Sequence, residues 1–263
     1  MSERINAETI RSFLQTELIG EPIIILNRVS STNEYARDQV DLHGAVILAE
    51  EQTAGKGRLG RSWISPPGQS ILMTVVFLPE GEIRELLPLT LAVGVAVAEG
   101  IEGMSELTMN LRWPNDVFAG NRKISGILVE SQLSGAEAVK LIVGIGVNVH
   151  QEAGDFPEGL RYPATSLRME GVDTRDRNQL AGSILNHLER RYNQIIAGES
   201  ARIISDWKTH SDQLNTMVQY SREDTMWTGE FVDIDATGTA VVRDENGEEH
   251  YINSGDLYSP DRG

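Results

Sequence analysis

Three glycines alternate with three cations in Gly55-Lys56-Gly57-Arg58-Leu59-Gly60-Arg61, and the residues after them limit what this loop can belong to. Glycines permit positive φ and let backbone N–H groups come close to a ligand. Three cations on such a loop suit an anion, phosphate foremost. The letters from Gly55 to Gly60 match a dinucleotide fingerprint, and Ala45-Val46-Ile47-Leu48-Ala49 reads as a strand before them. That fingerprint also needs a helix opening from the loop. Ser62-Trp63-Ile64-Ser65-Pro66-Pro67-Gly68 does not open one, because paired prolines hold the backbone before them extended. A nucleoside-triphosphate P-loop needs Ser or Thr after its Lys, where Gly57 stands. The loop is therefore either an anion site of another kind or an exposed basic hairpin without a ligand.

The loop is a basic island in a chain of net charge -16. That charge argues against nonspecific DNA binding, which draws its affinity from phosphate contacts. With 263 residues, 40% of them hydrophobic, the chain suits one medium domain and a small one. Zero cysteines exclude disulfides, thiolate metal sites and a cysteine nucleophile, and fit a cytoplasmic protein. Met1-Ser2-Glu3-Arg4 lacks the character of a signal peptide, and Leu86 to Ile101 is too short and too acid-flanked for a membrane span.

In chain order, Ile10, Phe13, Leu14 and Leu18 predict a helix over 6–18, followed by a short buried strand, Ile23 to Leu26. Ser31 and Glu34 have capping-box spacing, and a helix continues to about Leu42. Ser31, Thr32 and Asn33 either cap that helix or offer hydrogen bonds to a polar ligand at its N-terminus. Ile71 to Phe77 reads as a core strand and Leu86 to Ile101 as a buried helix. Thr108 to Leu111 starts a strand halted at Arg112-Trp113-Pro114-Asn115-Asp116, and Gly120-Asn121 turns the chain back into Arg122 to Glu130. Lys123 opens that return strand, either as a solvated edge charge or as part of a polar site with Asn115 and Asp116. A strand over 139–149 ends in Gly144-Ile145-Gly146-Val147-Asn148, where glycines predict close backbone approach. Residues 150–175 read as loop, then 176–197 and 200–209 as amphipathic helices. From Met217 short alternating segments with Gly229, Gly238 and Gly247 predict a small β-barrel, with a domain boundary near 212.

Taken together these motifs resemble the biotin protein ligases: Ser31-Thr32-Asn33, Gln52 through Arg61 with Trp63, Trp113-Pro114-Asn115-Asp116, Lys123 to Leu128, and Gly144 to Asn148, in the family's order. The resemblance implies an α/β (α+β) catalytic domain, a mixed sheet backed by helices, over 1–211, and a C-terminal β-barrel over 212–263. It implies that biotin's carboxylate attacks the α-phosphate of ATP, giving biotinoyl-AMP, and that a lysine of a biotin carboxyl carrier domain then takes the acyl group. Arg58 and Lys123 are the expected catalytic cations. Ser31, Thr32, Asn33, Gln52, Lys56, Gly57, Arg58 and Lys123 are expected at biotin. Arg58, Arg61, Trp63, Asn115, Asp116, Lys123 and Asn148 are expected at ATP, with Mg2+ oriented by Asn115 and Asp116, and no metal site of the protein's own. Lys56 replaces an arginine usual in the family, and Arg112 stands where many relatives have lysine. Some relatives carry an N-terminal DNA-binding domain, for which this chain has no room; a ligase without repressor function is expected. A monomer and a sheet-edge homodimer both remain open.

Two other readings are weighed. Lipoate ligation is a related adenylation, but Gln52 and the Ser31-Thr32-Asn33 cluster offer more hydrogen bonding than a dithiolane ring uses. A non-catalytic biotin or nucleotide sensor would not need the transition-state cations Arg58 and Lys123. Hydrolase chemistry is set aside, since no Gly-x-Ser-x-Gly elbow is present and the five histidines lack metal-ligand spacing.

Overall fold

The strand from Ser70 to Phe77 (β3) is buried at every position, and the large sheet is built outward from it. In this computed structural model residues 3–79, 86–134, 137–172, 176–222 and 225–258 are described. On one side of β3 lie β2 (Val46–Ala49) and β1 (Ile23–Leu26). On the other lie β7 (Glu137–Asn148), β6 (Arg122–Ser134), β5 (Asp116–Ala119) and β4 (Met109–Arg112), giving the order β1-β2-β3-β7-β6-β5-β4. β1 and β2 run parallel, joined by the crossover helix α2 (Thr32–Gln39), and every other pairing is antiparallel.

The two faces of β3 have different covers. Ile71, Met73, Val75 and Phe77 point into the main core with α3 (Leu89–Glu102) and α4 (Arg177–Ile196). α3 is rich in Ala, Val and Gly because it packs tightly: a Cβ on its Gly100 would come within 2.8 Å of Ile184. Val76 points the other way, into a small cluster with Ala36 and Val40 of the α2 region and Ile142 of β7. Beyond that cluster the same face continues through Thr74 and Leu72, paired with Gly144 and Gly146 on β7. Gly146 pairs in turn with Gly126 on β6. Side chains alternate across a strand, so the glycines leave a trough on this face where the cover of α2 ends.

The first helix is shorter than its periodicity predicts. α1 spans Ala7–Phe13, and Leu14 takes extended backbone. The N–H groups of Glu17, Leu18 and Ile19 all donate to the Glu189 carboxylate on α4, and that of Gln15 to Asn186. Tertiary acceptors thus replace the helical carbonyls. The capping box also fails to form. Ser31 is the N-cap residue of α2 but makes no side-chain cap bond, and Glu34 accepts from Ser30 and pairs with Lys56 instead.

α5 (Ser200–His210) leads into a second, four-stranded antiparallel sheet. Its strands are β8 (Met217–Arg222), β9 (Thr225–Ile234), β10 (Ala240–Arg243) and β11 (Glu249–Ile252), in the order β11-β10-β9-β8. After β11 the chain returns to β8, where Tyr258 and Gln219 exchange two backbone hydrogen bonds of 2.7 and 2.8 Å. The return carries Asp256 and Leu257 back to the large sheet. Trp113 joins the two units, its indole N–H donating to Gly238 O at 3.0 Å and its backbone N–H to Gln213 at 3.1 Å. Among the described residues no helix is long and apolar enough to cross a membrane.

Candidate active site

At one end of the trough the α2 N-terminus presents a neutral hydrogen-bonding cluster. Gln52 Oε1 accepts from the Thr32 N–H at 2.7 Å and from its hydroxyl at 3.0 Å. Thr74, which the sequence reading does not single out, donates toward Thr32 Oγ1 and Asn33 Oδ1 at 2.8 and 2.7 Å. Asn33 donates to Glu130 at 2.8 Å, which also takes Arg37. A buried polar group needs such partners, and here they fix every carboxamide in one orientation. Ser31, Thr32, Asn33, Gln52, Lys56 and Trp63 all line a cavity of about 50 Å³ over the glycine floor.

The basic loop is a folded-over hairpin above that floor. Gly57 N–H donates to Arg61 O at 2.7 Å and Trp63 N–H to Gly55 O at 2.9 Å. Its tip is a tight turn with Leu59 and Gly60 at φ of 54° and 74°. Gly55 is required by contact, since a Cβ there would lie 2.4 Å from the Trp63 carbonyl oxygen. The three cations do not act together: Lys56 turns to Glu34 on α2, whereas Arg58 and Arg61 reach the other way. Gly57 is not among the residues lining either cavity of the trough, although it is expected at biotin.

The far end is cationic. A cavity of about 190 Å³ is lined by all of Arg58, Arg61, Trp63, Asn115, Asp116, Lys123 and Asn148. The Asn115 amide donates to Ile127 O at 2.7 Å and its oxygen accepts from Arg58 at 3.2 Å, so the turn before β5 aims the loop arginine. Lys123 Nζ lies 2.7 Å from Asp116 across the β5–β6 hairpin, and 5.9 Å from the Trp63 ring. Asn148 donates to Thr165 O and accepts from Gln151, both at 3.0 Å. Burial draws the Arg58 guanidinium below its ordinary pKa, while Asp256 and Asp116 oppose the shift.

Trp63 separates the two ends. Its indole lies on the floor so closely that a Cβ on Gly146 would meet it at 2.5 Å, and one on Gly126 at 2.9 Å. Arg161 and Asp256 line the cationic cavity and carry no signal in the sequence: one lies in the loop over 150–175, the other in the tail after β11. Arg112 is buried, bonded bidentately to Asp212 at 2.8 and 3.1 Å and stacked 4.0 Å above Phe118. Asp244, Glu248 and His250 bring three donor atoms within 4.8 Å of one another on the β10–β11 turn. Asp244 is there already engaged by His250 and by the N–H groups of Asn246 and Glu248.

The same segments align with known proteins. Residues 25–148 match the Biotin/lipoate A/B protein ligase family, and residues 217–258 match the biotin protein ligase C-terminal domain. A bifunctional ligase/repressor of Bacillus spizizenii is 30% identical over 247 residues, covering 93% of this chain and 76% of that protein. A biotin–[acetyl-CoA-carboxylase] ligase of Mycobacterium tuberculosis is 32% identical over 221 residues, covering 78% of this chain and 79% of that protein. The Aquifex aeolicus biotin protein ligase, solved with biotin and ATP, superposes with a TM-score of 0.77 at 31% identity, covering 90% of this chain and 97% of that one. By these matches, which span both sheets, the protein belongs to the biotin protein ligase family.

Proposed function

We infer that the chain is an ATP-dependent ligase that activates biotin as biotinoyl-AMP and transfers it to a lysine of a biotin carboxyl carrier domain. One observation carries the reading: a single trough joins a neutral hydrogen-bonding end to a cationic end, with Lys123 between them. The neutral end suits the ureido ring, bonded by Ser31, Thr32, Asn33 and Gln52, with Leu72 and Leu128 against the apolar part. The carboxylate then points toward Lys123 and the α-phosphate. A carboxylate oxygen forms the new bond to phosphorus as the bond to pyrophosphate breaks, and negative charge grows on the phosphate oxygens. Lys123, Arg58 and Arg61 oppose that charge from fixed positions, which is how preorganised cations accelerate such a step. Trp63 leaves the floor and covers the nucleotide, keeping water from the acyl-adenylate. Lys56, whose side chain is engaged by Glu34, acts through its backbone, so loss of the usual arginine changes little.

Magnesium would neutralise phosphate charge when bound with ATP. Asp116 is the carboxylate at the trough that suits it, with Asn115 beside it. We divide the chain into a catalytic unit over 1–211 and a β unit over 212–263, following the two sheets, and place its work in the cytoplasm. The test is biotin-dependent exchange of pyrophosphate into ATP, with lipoate in parallel. Exchange with biotin alone is expected; exchange with lipoate alone moves the substrate to the sibling reaction, and none with either leaves a sensor.

A further inference from the structure

Each cation of the trough except one group has its own carboxylate. Lys56 has Glu34 and Lys123 has Asp116. Three arginines share Asp256: Arg61 and Arg161 reach its Oδ2 at 2.7 and 2.6 Å, and Arg58 reaches Oδ1 at 3.4 Å. Arg58 also donates to the neighbouring Gly255 carbonyl at 3.2 Å. One negative charge among three positive ones leaves the cluster short of anion, and the cavity it lines is where a polyphosphate would supply the rest.

The way Asp256 is mounted suits exchange. The Tyr258–Gln219 bridge anchors the segment on β8, and the Leu257 carbonyl accepts from Tyr162 at 3.2 Å and Gln213 at 3.3 Å. Gly255, at φ 96°, precedes the aspartate with backbone that glycine adopts freely. Burial by itself would raise the Asp256 carboxyl, but the Arg61 hydrogen bond and the charges of Arg61, Arg161 and Arg58 hold it below the ordinary range, so it stays ionised.

We propose that Asp256 is an exchangeable internal counter-anion, which holds Arg58, Arg61 and Arg161 where the phosphates of ATP will lie and reclaims them as pyrophosphate leaves. It rests on the reading of this trough as the site of biotin adenylation. Asp256 is then a positioning residue with an opposite sign in two steps. It keeps three like charges together before ATP arrives, and it competes with bound pyrophosphate afterward.

The experiment is calorimetric titration of pyrophosphate into wild type, Asp256→Asn, Asp256→Glu and Arg161→Gln, with biotin-dependent exchange and thermal melting on each. Removing the competing charge is expected to tighten pyrophosphate about tenfold in Asp256→Asn, the worth of one charge-assisted hydrogen bond. Asp256→Glu retains the competitor and keeps wild-type affinity, and Arg161→Gln weakens pyrophosphate by a similar factor. Turnover in Asp256→Asn becomes more sensitive to inhibition by product pyrophosphate. Equal or weaker pyrophosphate binding by Asp256→Asn, with exchange intact in wild type, would overturn the proposal and leave Asp256 a scaffold. Unchanged affinity in Arg161→Gln would overturn it too, whether or not the Asn variant folds. Absence of exchange in wild type would instead remove the adenylation reading beneath it.

Discussion

The Asn33 carboxamide lies directly against the α-carbon of Gly144, where a Cβ would come within 2.4 Å of Oδ1. Asn33 is held there by Thr74 and Glu130 and has little room to yield. Gly144→Ala is therefore expected to displace Asn33 and raise the KM for biotin about tenfold, with KM for ATP nearly unchanged. Steady-state kinetics with each substrate varied in turn checks this, and an equal rise in both constants would contradict it.

Lys123 sits at the junction of the two ends, paired with Asp116 on the facing strand. Lys123→Gln removes a fixed cation from the developing charge and should lower biotin-dependent exchange by roughly a hundredfold or more. Because the lysine is partly exposed, the melting temperature should hardly move. A variant that loses exchange only by melting would place Lys123 in the scaffold.

Arg58 ties the loop to Asn115, Gly255 and Asp256. Arg58→Gly should loosen closure over the acyl-adenylate, so that biotinoyl-AMP appears in solution during turnover. Chromatography of the filtrate measures it, and retention equal to wild type counts against the loop's role as a cover.

Arg112 is buried and pairs with the half-buried Asp212 across the junction between the two sheets. Arg112→Ala leaves a half-buried carboxylate without its cation and removes the stacking on Phe118, so it should cost about 3 kcal/mol in denaturant unfolding, the low end for breaking a buried pair. Arg112→Lys keeps the charge but loses the second bond to Asp212 and the stacking on Phe118, and should fall between.

His150 is buried, its Nε2 makes no hydrogen bond among the described residues, and burial together with Arg168 and Arg177 pushes its pKa down to about 4. The unfolded chain binds this proton near pH 6.5 and the folded chain does not until about pH 4. Between those values stability therefore rises with pH, with a slope approaching about 1.4 kcal/mol per unit from this group. His150→Leu should flatten that part of the stability profile; an unchanged slope would assign it to other groups.

Most of the strand order's ingredients were legible because they are local: the run from Ile71 to Phe77, the turn at Gly120-Asn121 and the amphipathic pattern after residue 176 each follow from neighbours in sequence. The helix predicted over 6–18 was not, because Glu189, far along the chain, takes the N–H groups of Glu17, Leu18 and Ile19. The same reason explains Ser31 and Glu34, whose spacing fits a capping box while Lys56 offers Glu34 a charged partner.

For the site the division is similar. Its motifs, their order and the glycines that make its floor are written in the sequence, since residue type at fixed spacing decides which backbone can approach a ligand. Which cation serves which anion was decided only in the tertiary structure. Lys56 and Arg58 are two residues apart, a spacing that puts side chains on one side of an extended strand, yet they reach opposite ends, because the tight turn at Arg58–Gly60, with Leu59 at φ 54°, breaks the extended run. Arg58 meets Asp256, 198 positions away, because the chain after β11 returns to β8 and brings a carboxylate to the arginines. Charge pairing acts through space, and sequence spacing carries no record of it until the chain is folded.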